Sequence, residues 1–216
     1  MPVTPAMAKG RVDEVLQGSI AEILKLRGYR KHANLHVRAV GAVCHMIEVQ
    51  FSSWSPKNAD RFTLNCGVYV PGVTSVFWNK PEPQRPKLTD SSIYVRVGML
   101  APSRLDIWWE VTNEGPSDND ARIQSEIRSA LIDMALPFVG RFETEQQIAR
   151  FLTEEPGEED KLVEPRAAAT RKVYAGILWR KLGDEAKCTV CLVEAMRQAE
   201  KTPLKPVVEK FVARFR

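Results

Sequence analysis

The chain has 216 residues, 44% hydrophobic and 27% charged, with a net charge of +4, which is ordinary globular composition and enough length for one core plus an appendage or two small domains. Residues 1–9 lack a signal-peptide or Arg-rich leader pattern, and no window reaches the roughly 20 apolar residues of a membrane span, so a cytoplasmic protein without membrane association is expected. Cys44, Cys66, Cys188 and Cys191 are too few and too dispersed for a disulfide framework, so reduced thiols are expected.

Between residues 11 and 26 the apolar Val12, Val15, Leu16, Ile20, Ile23 and Leu24 recur at helical spacing, and Gly28 stands where a left-handed cap would end that helix. Residues 29–36 read as extended. Residues 43–52 alternate strictly, Val43, His45, Ile47, Val49 and Phe51 opposing Cys44, Met46, Glu48, Gln50 and Ser52, which is the period of a strand. Turn residues at 54–60 lead into a second alternating run at 61–70, where Phe62, Leu64, Cys66, Val68 and Val70 oppose Arg61, Thr63, Asn65, Gly67 and Tyr69. Pro81, Pro83 and Pro86 predict a long loop over 79–90. Residues 91–100 and 105–112 alternate again and are expected to pair with each other across Ala101, Pro102, Ser103 and Arg104.

Helix-start residues at 117–120 precede Ile123, Ile127, Leu131 and Ile132, and a shorter helix is expected from Glu143 or Thr144 to Phe151. Residues 166–182, 184–201 and 206–215 carry helical patterns. The predicted fold class is α+β: an antiparallel four- to five-stranded sheet packed by an N-terminal helix and following helices, with a C-terminal helical extension. The acidic, Pro- and Gly-containing residues 153–164 predict a linker between a sheet domain at 1–152 and a small helical subdomain at 165–216. Charge is unevenly spread: residues 1–152 hold 18 basic against 16 acidic side chains, 153–164 hold 1 against 6, and 165–216 hold 12 against 5.

The segments Gly28-Tyr29-Arg30-Lys31, Glu48-Val49-Gln50-Phe51-Ser52-Ser53-Trp54-Ser55 and Arg61-Phe62-Thr63-Leu64-Asn65-Cys66-Gly67-Val68-Tyr69 follow one another after a helix. This series resembles the bacterial domain-of-unknown-function family numbered 4304, over about residues 12–151. The family pattern has Asn before Phe-Gln where this chain has Glu48-Val49-Gln50-Phe51. The resemblance supports the fold and implies no activity.

On the strand phases above, one sheet face displays Glu48, Gln50, Thr63, Asn65, Tyr69, Tyr94, Arg96, Asp106, Trp108 and Glu110. Of these, Glu48, Gln50, Asn65, Tyr69, Tyr94, Arg96, Trp108 and Glu110 are the candidate ligand- or partner-binding residues. Aromatic rings offer contact area and amides offer directional hydrogen bonds. The bland alternative is a solvated sheet face with cross-strand pairs. No catalytic set, cofactor motif or metal site is expected: His32, His36 and His45 lie in extended segments, where spacing of four does not bring side chains together. Cys188-Thr-Val-Cys191 falls inside a helical pattern and reads as two core cysteines. The leading functional expectation is a non-enzymatic module that binds a protein partner. The alternatives are an enzyme using Glu48, Asp106 or Glu110 with Arg96, and a nucleic-acid role for the basic tail.

Overall fold

The structure is a computed structural model that describes residues 5–112 and 115–215, with only the backbone described for residues 5–10. Residues 1–4, on which the leader reading partly rests, lie outside the described residues. The fold is α+β: an antiparallel sheet with an N-terminal helix and C-terminal helices. The strands are β1 (Arg30–His32), β2 (Leu35–Val40), β3 (Val43–Phe51), β4 (Ala59–Tyr69), β5 (Ile93–Arg96) and β6 (Trp109–Thr112). They run β1-β2-β3-β4-β5, a meander, with β6 also paired to β4.

That topology corrects the expected second hairpin. The last two strands do not pair with each other; each pairs with β4, and β6 lies antiparallel to it with Arg61 opposite Glu110. Both strands are shorter than their alternation suggests, because residues 97–100 tighten into a 3-10 turn and residues 105–108 are irregular. Alternation identifies a face and leaves the partner open. Between β4 and the Pro-rich segment, α3 (Val73–Trp78) forms, started by Gly72 at φ 90° and stopped by Asn79 at φ 51°.

The described residues divide into two compact units, each interleaved along the sequence: residues 5–38, 46–66, 96–112 and 115–140 form the first, and residues 39–45, 67–95 and 141–215 the second. In the first, α1 (Pro5–Leu16) runs through a π-helical segment, Gln17–Ala21, into α2 (Glu22–Leu26). Val12, Val15, Leu16, Ile20 and Leu24 are its buried stripe. The helix ends in the expected left-handed cap: Gly28 has φ 80°, its N–H donates to the Lys25 carbonyl, and the Tyr29 N–H donates to the Leu24 carbonyl. The π segment leaves helix carbonyls without their usual partner, and the Arg128 guanidinium donates to that of Gly18. Arg128 belongs to α4 (Asp118–Ser129), which Ser117 and Asp120 open as a capping box and which continues through a second π segment, Ala130–Ala135, into α5 (Leu136–Gly140).

In the second unit, α6 (Glu145–Thr153), α7 (Ala168–Lys181), α8 (Glu185–Ala199) and α9 (Lys205–Phe215) follow in order. Helix α7 is buried from Ala169 to Trp179 on every side, packed by α3, α6, α8 and α9, so it is the axis of this unit. Gly176 lets α8 approach, since a Cβ there would lie 2.9 Å from the Leu192 side chain. The acidic segment read as a linker is anchored within this unit. Arg141 donates two hydrogen bonds, 2.8 and 2.7 Å, to the buried Asp160 carboxylate, Val163 is in the core, and Glu164 forms a β-bridge with Tyr94.

Candidate functional site

The polar face of the first unit is built by register. Glu48 and Gln50 project from the same side of β3, and Asn65 projects from β4 between them. The Asn65 amide donates to Gln50 Oε1 at 2.8 Å and to Glu48 Oε2 at 3.1 Å. Arg96, at the end of β5, donates to Gln50 Oε1 at 3.3 Å and forms a 2.6 Å ion pair with Asp106. Asp106 reaches Arg96 because the irregular stretch before β6 passes against Gly98: a Cβ on Gly98 would lie 2.3 Å from the Leu105 carbonyl oxygen. The same stretch delivers Trp108, whose ring has the Arg96 guanidinium 5.0 Å and the Arg61 guanidinium 5.3 Å from its centroid.

Of the eight candidate residues, the structure therefore joins Glu48, Gln50, Asn65, Arg96 and Trp108 in one network, with Arg61 and Asp106 added. Glu110 lies opposite Arg61 in the β4–β6 register and is exposed. Tyr69 and Tyr94 belong to the second unit and are not part of the network. The Tyr69 hydroxyl bonds the Glu82 carboxylate, which also accepts from the Gly72 N–H and the Ser75 hydroxyl and so pins the Pro-rich loop. Tyr94 is held by its backbone to Glu164. The expected open polar face is also partly covered: Thr63 is buried, its hydroxyl bonded to the Ile107 carbonyl, and Asn65 is only 6% exposed. Alternating polar residues on a strand do not reveal that a neighbouring segment will lie over them.

Chemically, the network consists of two amides, two carboxylates, two guanidinium groups and an indole. Both carboxylates accept charge-assisted or amide hydrogen bonds, and the side-chain amides of Gln50 and Asn65 cannot serve as acid or base. The same unit exposes large apolar side chains on loops: Trp54, 87% exposed between β3 and β4, and Leu105 beside Asp106. Sequence reading missed Arg61, a strand residue whose role depends on where Trp108 ends up.

The remaining candidates resolve differently. His45 is buried with a ring nitrogen 2.9 Å from the Phe142 carbonyl, and His36 is buried in β2. Among the described residues no three His, Cys, Asp or Glu side chains group as a metal site. Cys188 and Cys191 are buried in α8, and loss of hydration raises the pKa of each thiol. The basic charge of the tail is largely engaged within its own unit: Lys181 pairs with Glu145, Arg197 with Glu194, and Arg214 donates to the Val76 and Phe77 carbonyls. Arg171 and Lys172 are buried.

A family profile described as Domain of unknown function (DUF4304) matches residues 20–141, more than half of the chain. The chain belongs to this family. The matched stretch is shorter at both ends than the 12–151 resemblance, and it contains every residue of the Trp108-centred network. Searches of curated proteins and of solved structures return no match. No described helix is long and apolar enough to cross a membrane.

Proposed function

We propose that this chain is a non-enzymatic binding module whose Trp108-centred face docks a protein partner. The observation that carries the reading is the half-buried Trp108 between two guanidinium groups, with exposed Glu110 opposite Arg61. Trp and Arg are the residue types that dominate interface energetics, and a ring already fixed by its neighbours loses little freedom on binding. Arg96 is committed to Asp106, whereas Arg61 is exposed and forms no ion pair among the described residues, so it is the cation offered to a partner carboxylate. Trp54 and Leu105 supply apolar contact area on the same unit.

An enzyme using Glu48, Asp106 or Glu110 is the competing reading of the same face, and the engagement of Glu48 by Asn65 and of Asp106 by Arg96 favours binding over proton transfer. Nucleic-acid binding through residues 165–216 is disfavoured by the internal pairing of the basic side chains. The test is quantitative co-purification from the native host with Trp108→Ala and Arg61→Glu. The module reading expects a stoichiometric protein partner that both variants lose while keeping their thermal stability. Retention of that partner by both variants overturns it.

A further inference from the structure

A second site lies in the first unit, away from the residues of the Trp108 network. Leu16, Ile20 and Ala21 from the N-terminal helix and its π segment face Val49 and Phe51 of β3 across a cleft of about 560 Å3. The β1–β2 hairpin closes it with Lys31, Ala33, Asn34 and His36, and Asp13 stands on the helical side. The volume lies in the range of small-molecule sites.

His36 is the informative residue. It is 5% exposed, lines the cleft, and neither ring nitrogen forms a hydrogen bond of normal geometry, the Ile47 backbone offering only a weak interaction. Buried polar groups in folded proteins are nearly always paired, so a buried imidazole at the wall of a cleft, with no hydrogen bond of normal geometry on either nitrogen, marks a donor that a ligand can satisfy. Burial, reinforced by the Lys31 charge, lowers its pKa to about 4, so at neutral pH one nitrogen carries N–H. Asn34 is fixed by the hydrogen bond from its amide to the Val49 carbonyl at 2.8 Å, which holds the hairpin turn against β3. Lys31 is exposed and forms no ion pair among the described residues. Phe51 is 42% exposed, an apolar surface at the cleft that no side chain of the unit covers fully.

We propose that this cleft binds a small monocarboxylate with an apolar body. The His36 N–H donates to a carboxylate oxygen, Lys31 supplies the opposite charge, and Leu16, Ile20, Val49 and Phe51 take the aliphatic or aromatic body. Asp13 disfavours negative charge at the helical side, so the single carboxylate lies at the Lys31 and His36 side and the body extends toward the helix. The apolar wall without the cation would suit any hydrocarbon, and the cation without the wall would suit any anion; the two together set the ligand class.

The test is isothermal titration of the full chain with sodium octanoate, octanol and octylammonium. The result expected is a single saturable site for octanoate, with octanol and octylammonium at least about tenfold weaker, the size of one charge-assisted hydrogen bond. Lys31→Ala, at an exposed position, should weaken octanoate about tenfold without altering thermal stability, and His36→Leu should weaken it by at least as much. If His36→Leu does not fold, the histidine ring resonances of the wild type substitute: one buried imidazole must shift on octanoate titration. Equal binding of all three probes, no saturable octanoate binding up to about 10 mM, or full affinity in Lys31→Ala overturns the proposal.

Discussion

Replacing Gly98 with alanine would put a Cβ 2.3 Å from the Leu105 carbonyl oxygen and 2.8 Å from the Ile107 nitrogen. A carbon meets a carbonyl oxygen at about 3.3 Å or more, so the 105–107 backbone must retreat by about 1 Å. Overpacking of this kind costs about 1–3 kcal/mol, and the upper half of that range applies here because the obstructing atoms are backbone. For a chain of this size that corresponds to a fall in melting temperature of about 5–10 °C for the transition of the first unit. The retreat also moves Asp106 off Arg96 and Trp108 off both guanidinium groups, so the tryptophan emission of the native state should shift with the stability. The assay is urea unfolding followed by intrinsic fluorescence, with Gly140→Ala as the comparison, since nothing lies within 4 Å of a Cβ there. The comparison variant should stay within about 0.5 kcal/mol of wild type. A Gly98→Ala loss below about 0.5 kcal/mol, with unchanged emission, would refute the claim that close packing at Gly98 sets the position of Trp108.

Other substitutions probe separate parts of the account. His36 is neutral in the folded state down to pH about 4 and titrates near 6.5 when unfolded, so stability falls as pH drops from about 6.5 to about 4, by up to about 3 kcal/mol, and levels off below; urea midpoints at pH 7 and 4.5 should show this slope, and His36→Leu should flatten it. Glu82→Ala removes the common acceptor of Tyr69, Gly72 and Ser75, and should cost about 1–3 kcal/mol and expose the 79–87 loop to limited proteolysis; unchanged cleavage would mean that the prolines alone hold the loop. Arg141→Ala leaves the Asp160 carboxylate, whose side chain is 7% exposed, without its bidentate partner, so cleavage within 153–164 should accelerate at least tenfold; equal rates would show the segment to be held by Val163 and Glu164.

How far the sequence speaks depends on the kind of information each element needs. Local rules placed the Gly28 cap, the helix starts at Ser117 and at Glu143 or Thr144, and most of the phase of β3, since each is decided within a few residues: Val43, His45, Ile47 and Val49 are buried and Glu48 and Gln50 only partly so, while Met46 on the second side is also buried and Phe51 at the strand end is exposed. The pairing of β5 and β6 with β4 was not legible, because alternation carries no partner identity and the turn at 101–104 resembles a hairpin. Burial of both faces of β4 was hidden for a related reason: Thr63, Asn65 and Tyr69 are polar because each has a hydrogen-bond partner, whereas polarity on a strand is ordinarily read as exposure. The candidate face was thus half legible. Glu48, Gln50, Asn65, Arg96 and Trp108 meet as the strand phases suggest, while Tyr69 and Tyr94 serve the second unit and Arg61 enters through the β6 register. The His36 cleft had no sequence signal, since an orphaned imidazole is defined by what fails to surround it.

The most direct measurement of the central claim is site-specific photo-crosslinking in the native host, with benzoylphenylalanine placed in turn at positions 61, 108 and, as a control, the exposed Lys210 of α9. The account predicts that one and the same protein is captured from positions 61 and 108 and not from 210. Capture of that protein equally from 210, or no capture from either 61 or 108, would contradict it.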